Sequence, residues 1–194
     1  MKCMAVTLLT GLAMSAQAEQ MRISVRLYNY TALPEHTLMA AERKVADTFG
    51  AAGIFVFWSS CPVSEEYADK YTCTQVKDPL EVFLKILPDR MVPRAQRQSR
   101  ELGAAARPDD AYIFFDRLER FCYGHRAATS IVLSEVMVHE LGHLLLEPNA
   151  HSSTGIMRSV LNPDDLAGNK RAFFTREQAE QMRLHIKERT RSSR

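Results

Sequence analysis

The residues most able to do chemistry lie in "HELGHLLLEPNAHSSTGIM", residues 139–157. His139 and His143 are four apart, which on a helix puts both imidazoles on one face about one turn from each other. Two imidazoles so placed can share one zinc ion. Glu140 projects about a quarter-turn away. It is too far around to be an easy third ligand but within reach of a zinc-bound water, which is where a general base belongs. Zinc lowers the pKa of its water toward about 7 and polarises a scissile carbonyl. Glu140 would take the proton and later hand it to the leaving amine. The competing reading is a solvated helix face with two surface histidines. Val136, Met137, Val138, Leu141, Leu144, Leu145 and Leu146 argue against it. They make the helix largely buried, and two histidines and a glutamate in a buried helix need partners.

Two histidines leave the site incomplete. Glu147 continues the four-residue step, but on a regular helix it would sit about 12 Å from His139 along the axis. One ion could not be held by residues 139, 143 and 147 together. His151 is better placed. Pro148 stops the helix, Glu147 before it is biased out of the helical region, and Asn149 tolerates left-handed angles. A short loop can then fold back and present His151. The other candidates for that position are the acids Asp164 and Asp165. Three histidines with one open position make a catalytic site, unlike a closed four-ligand structural one.

The rest of the chain must supply a scaffold. "MRISVRLYNY" alternates apolar and polar residues and reads as a first strand. "PEHTLMAAERKVADTFGAAG" reads as a helix, with Pro34 in its first turn, Leu38, Ala41, Val45 and Phe49 on one stripe, and Gly50 and Gly53 at its exit. "IFVFW" and "LEVFLKIL" are short apolar strands. "ELGAAARPDDAYIFFD" reads as two strands, about 102–106 and 111–115, around a Pro-Asp-Asp turn. The helix carrying the histidines spans about Ala127 to Leu146. In "TREQAEQMRLHIKER", Thr175 three residues before Gln178 marks a capping box, and Met182 and Ile186 form an apolar stripe. Strand, helix, several strands and two helices in that order predict an α+β fold, a mixed sheet with helices packed on it.

The chain has 194 residues, 46% hydrophobic and 25% charged, which suits one globular domain over residues 19–194. A net charge of +2 is too small to point to nucleic acid or a membrane surface. Residues 1–18 read as a signal peptide: Lys2, then an uncharged apolar run, then Ser15-Ala16-Gln17-Ala18, a small-x-small cleavage pattern. No segment of the mature chain is apolar enough to span a bilayer. Export to a periplasmic or extracellular location implies an oxidising compartment. There Cys61 and Cys73, close in sequence within "CPVSEEYADKYTC", are expected to pair, leaving Cys122 as a buried thiol.

"HELGH", a histidine soon after it, and Met157 in "GIM" together resemble the metzincin branch of the zincin metallopeptidases. That family's pattern is His-Glu-x-x-His-x-x-Gly-x-x-His followed by a Met-turn. The resemblance implies His139, His143 and His151 as ligands of one catalytic zinc, Glu140 as general base and acid, and Met157 as the turn methionine. "LGAAARPDDAYIFFD" is similar to the matrixin segment in which an edge strand lines the substrate cleft. By that likeness residues 102–106 border the cleft, where an extended peptide could add as another strand. The implied architecture is a twisted mixed sheet with an active-site helix, a backing helix and a C-terminal helix. Two departures mark a divergent subfamily. Leu146 stands where the family has glycine, and seven residues separate His143 from His151 in place of five.

Glu135, one turn before His139, could hydrogen-bond a ligand, though a solvated helix residue reads as well. Arg158 could face an oxyanion. His36, His125 and His185 have no metal spacing, and the arginines from Arg183 to Arg194 read as a solvated helix end. The expected function is that of an exported zinc-dependent metallopeptidase acting on a peptide or protein substrate. The alternative is a non-catalytic, zinc-containing peptide-binding or inhibitory module on the same fold.

Overall fold

The computed structural model describes residues 21–63, 73, 78–106, 108–146, 150–160 and 172–193. Its sheet has five strands: β1 (Arg22–Asn29), β2 (Phe55–Cys61), β3 (Glu81–Leu87), β4 (Gly103–Ala106) and β5 (Asp110–Phe114). Their order is β2-β1-β3-β5-β4. All neighbouring pairs are parallel except β4, which runs antiparallel to β5 on the outer edge. Among the described residues, four helices pack with this sheet: α1 (Glu35–Ala51), α2 (Phe115–His125), α3 (Thr129–Leu145) and α4 (Arg176–Ser192).

Alternation in the strands decides which face is covered. Val25 pairs with Val82, Leu27 with Leu84, Leu84 with Ala111 and Ile86 with Ile113, so these apolar side chains share one face of the sheet. Against them pack Leu38, Ala41, Val45 and Phe49 of α1 and Leu133, Met137, Leu141 and Leu144 of α3, all in one core. Burying such a side chain stabilises by about 1.5–3 kcal/mol relative to leaving it exposed. That packing outweighs the poor helix propensity of Ile131, Val132, Val136 and Val138 along α3. α3 is apolar nearly all round because α1, the sheet and the chain after residue 150 enclose it.

The structure differs from the sequence expectation at several points. Residues 116–125, where periodicity predicts no element, form most of α2. Only Phe115, Leu118 and Cys122 are buried there, a stripe too short to stand out among Arg117, Glu119 and Arg120. α2 ends on Arg126, whose φ of 52° is left-handed without a glycine to announce it. α3 accordingly begins at Thr129, two residues after the expected start. The two strands expected at 102–106 and 111–115 run over 103–106 and 110–114. Between β3 and β4 the chain makes two 3-10 turns, Asp89–Met91 and Arg94–Gln96. The Arg117 guanidinium ties down the approach to β4, donating to the carbonyls of Gln96 at 2.8 Å and Glu101 at 3.1 Å.

Cys61 and Cys73 are joined by a disulfide, with Cα atoms 5.8 Å apart. Beside it the buried Arg26 pairs with Glu81 and donates to the Cys73 carbonyl. Cys122 is a free, buried thiol, and desolvation raises its pKa. α4 opens with the capping box: the Gln178 N–H donates to Thr175 Oγ1 at 3.2 Å, and the Thr175 N–H to Gln178 Oε1 at 2.9 Å. α4 buries Ala179, Met182 and Ile186, and Arg189 bonds Asp109 at 2.8 Å near the start of β5. The expected signal segment, residues 1–18, lies outside the described residues. Among those described, no helix is long and apolar enough to cross a membrane.

Candidate metal centre

The last two turns of α3 carry His139, Glu140 and His143. The helix stops at Leu145, and Leu146 is already extended, with φ −107° and ψ 165°. Leu146 is also 1% exposed. Leu146 itself is not left-handed, so an apolar side chain fits at this position where a glycine would serve a left-handed turn. Glu147, Pro148 and Asn149 lie outside the described residues. The chain returns at Ala150, and His151 meets the two helical histidines.

The three rings converge through their Nε2 atoms. His143 Nε2 is 3.0 Å from His139 Nε2 and 3.1 Å from His151 Nε2. The ligand-capable nitrogens of all three lie within 4.8 Å of one another. Nitrogens bound about 2.0–2.1 Å from one tetrahedral ion would stand roughly 3.3 Å apart, close to this spacing. His139 is held in the right tautomer: its Nδ1–H donates to the Ile156 carbonyl at 3.0 Å, which leaves the Nε2 lone pair for a metal. Desolvation, with a smaller contribution from His151, lowers the His139 pKa and favours the neutral ring that a metal needs. His139 and His143 are half-buried and His151 is exposed. The donor set of three imidazoles fits a divalent transition ion with an open position. Among the described residues this is the group of histidines, cysteines and acids that could hold a metal.

The turn after His151 is built into the same cluster. Ser152 N–H donates to the Met157 carbonyl at 2.9 Å, closing residues 152–157 into a tight turn. Met157 is fully buried against α3. A Cβ placed on Gly142 would stand 2.7 Å from Met157 Sδ and 3.0 Å from the Phe174 ring, so the methionine occupies the space the glycine leaves. The Ile156 N–H donates to the Phe173 carbonyl at 3.0 Å, which anchors the residue whose carbonyl orients His139.

Glu140 is 7% exposed and points toward β4. Burial, and after it the charge of Glu101, push its pKa up to about 8, against a hydrogen bond from the Ala105 backbone. A Cβ on Gly103 would fall 2.7 Å from Glu140 Cγ, 2.8 Å from Oε1 and 2.9 Å from the Tyr112 carbonyl. Gly103 is therefore part of the site, although its sequence context places it only on the edge strand. The small residues of "GAAA" were the available signal. On its other side β4 is taken by β5, where the Phe114 N–H bonds the Leu102 carbonyl at 2.8 Å. Antiparallel alternation then turns the backbone groups of Gly103 and Ala105 away from β5, toward α3.

Between β4 and α3 lies a cleft of about 860 Å³ that contains all three histidines and Glu140. Glu101 to Ala105 form one wall, Glu135 and Val136 another, and Gly155, Ile156 and Arg158 to Val160 a third. Glu135 and Arg158 both line it. His36 and His125 are exposed elsewhere on the surface, His125 packed in a tilted arrangement against Phe121 with centroids 4.3 Å apart, and His185 is on α4. Asp164 and Asp165 lie outside the described residues.

No model of a known protein family matches the sequence, and no curated protein matches it. Among solved structures, the chain is similar to the crystal structure of archaemetzincin from Methanopyrus kandleri, over 89% of this chain and 99% of that one, with a TM-score of 0.47 and 16% identity. A likeness at this level leaves function to be read from the side chains.

Proposed function

We propose that the protein is an exported zinc metallopeptidase of divergent metzincin type that hydrolyses peptide bonds. The observation that carries this reading is the convergence of three imidazole Nε2 atoms at one end of a cleft whose wall holds a buried carboxylate, Glu140. His139, His143 and His151 would hold one zinc ion. When bound, zinc supplies Lewis acidity, polarising a carbonyl and lowering the pKa of a water toward about 7.

The protein's own residues do the rest. The Ile156 carbonyl keeps His139 in the ligating tautomer, and Met157 packs beneath the helix as the turn methionine. As the carboxylate, the form that a cation bound beside it would favour over the buried acid, Glu140 would accept the water's proton and deliver it to the leaving nitrogen. The cleft-facing edge of β4, where the Ala105 backbone already bonds Glu140, would offer the backbone of Gly103 to an extended peptide lying along the cleft past Glu140. The disulfide between Cys61 and Cys73 suits an oxidising compartment and supports the reading of residues 1–18 as a removed signal peptide.

Glu140→Gln tests the assignment. It keeps size and hydrogen-bonding reach but cannot take a proton. Peptide hydrolysis is expected to disappear while zinc binding stays near that of the parent. Equal turnover in the variant would remove Glu140 from the reaction. Binding of peptides by the parent without cleavage, across a broad library, would favour the non-catalytic module instead.

A further inference from the structure

His151 is an exposed histidine on a loop, so burial gives its ring no fixed direction. One side chain from a distant helix holds the residues on both sides of it, one by its backbone carbonyl and the other by its hydroxyl. Gln178, the third residue of α4, is 7% exposed. Its Oε1 is used by the capping box. Its Nε2 donates to the Ala150 carbonyl at 3.2 Å and to Ser152 Oγ at 3.1 Å. Ala150 and Ser152 are the two neighbours of His151. Ser152 is itself held, its N–H by the Met157 carbonyl at 2.9 Å and its Oγ–H by the Thr154 carbonyl at 2.7 Å.

The chemistry of the amide explains the choice of residue. A capping box is closed by glutamate or glutamine alike, because both present an oxygen to the N-cap N–H. Only the amide can accept there and also donate two hydrogens elsewhere. We propose that Gln178 is a positioning residue for the metal centre. It clamps residues 150 and 152 so that His151 Nε2 is delivered to the point where those of His139 and His143 meet. The proposal rests on the reading of the three histidines as metal ligands. It further makes the start of α4 a working part of the site, 27 residues beyond the ligand it serves.

Gln178→Glu separates the two duties of the side chain. The carboxylate still accepts from the Thr175 N–H, but both donors are gone and an oxygen faces the Ala150 carbonyl. Zinc affinity, measured by competition with a chromogenic chelator on the metal-free folded chain, is expected to fall about 10–100-fold. Thr175→Ala is the converse. It removes the hydroxyl that caps Gln178 N–H and leaves the amide donors in place, so stability falls while zinc affinity stays within about threefold of the parent. The decisive comparison is a double-mutant cycle with His151→Ala. If Gln178 acts through His151, Gln178→Glu costs little further affinity once His151 is gone.

An unchanged affinity in Gln178→Glu overturns the proposal, as does an equal loss in both backgrounds. A parent that takes up no zinc, or a His151→Ala variant that loses none, overturns the ligand reading itself and is recognised before Gln178 is touched. If Gln178→Glu does not fold, Ser152→Ala removes one of the two acceptors and supports the same cycle at smaller amplitude. Substituted cobalt supplies an independent readout: the visible spectrum of a tetrahedral three-histidine site is expected in the parent and Thr175→Ala, and a changed spectrum in Gln178→Glu. An unaltered spectrum there counts against the clamp.

Discussion

The Nδ1–H of His139 donates to the Ile156 carbonyl at 3.0 Å, across 17 residues of sequence. That bond aims a ring on α3 from the turn after His151. The same turn buries Met157 against Gly142 and holds Ser152 through the Met157 carbonyl. The centre is thus built from one helix and one turn that fix each other.

Gly155 sets the direction of the Ile156 peptide. Its φ is +77°, and a Cβ there would lie 2.5 Å from the Phe173 carbonyl. An L-residue in that conformation costs about 1–2 kcal/mol before the clash is counted. Gly155→Ala is expected to lower the denaturation midpoint and to weaken zinc binding, because the carbonyl that orients His139 must move. Chemical unfolding and a zinc titration of the variant check both effects. A stable variant of parental affinity would show that the turn tolerates displacement.

Gly103 separates placement of Glu140 from metal binding. A methyl at this position meets the Glu140 carboxylate on one side and the Tyr112 carbonyl on the other, and the backbone of Tyr112 cannot yield. The carboxylate must therefore shift, and a displacement of about 1 Å in a reacting group can cost roughly 100-fold in rate. Gly103→Ala is expected to retain one zinc per chain and to lose at least about 10-fold in kcat/KM. Steady-state kinetics beside metal analysis would decide it, and full activity would place Glu140 outside the reaction.

Some of this arrangement is legible from residue order, and some is not. Four-residue spacing fixes that His139 and His143 share a helix face, whatever the rest of the chain does. The five strands and three of the four described helices come from local patterns: alternation in β1, short apolar runs in β2 and β3, the Pro-Asp-Asp turn between β4 and β5, the capping box of α4, and stripes such as Leu38, Ala41, Val45 and Phe49. α2 escapes because three buried residues in eleven leave a weak stripe and its left-handed end falls on an arginine. Gly103 can be placed on a strand, but its contact with Glu140 exists only once β4 and α3 meet. Gln178 is visible as half of a cap, which is a local signal. Its bonds to residues 150 and 152 join segments that no periodicity relates.

Cys122 is expected to be chemically quiet. It is 6% exposed, and desolvation raises its thiol above the ordinary range. A raised thiol pKa leaves less thiolate at neutral pH, and thiolate is the reactive form. Native protein at pH 7 should therefore alkylate slowly, faster as pH rises through and beyond the usual thiol range of about 8.5, and completely once denatured. Mass spectrometry after timed alkylation measures this. Rapid labelling of the native chain at pH 7 would show that the residue is open to solvent.

The central claim is that His139, His143 and His151 together hold one ion. It is tested most directly by the zinc content of purified residues 19–194, measured beside His151→Ala after the same reconstitution. The account predicts one zinc per parent chain, with affinity sharply reduced in the variant. Full zinc retained by His151→Ala would move the third ligand to another residue, with Asp164 and Asp165 the next to test. No zinc in either protein would contradict the metallopeptidase reading as a whole.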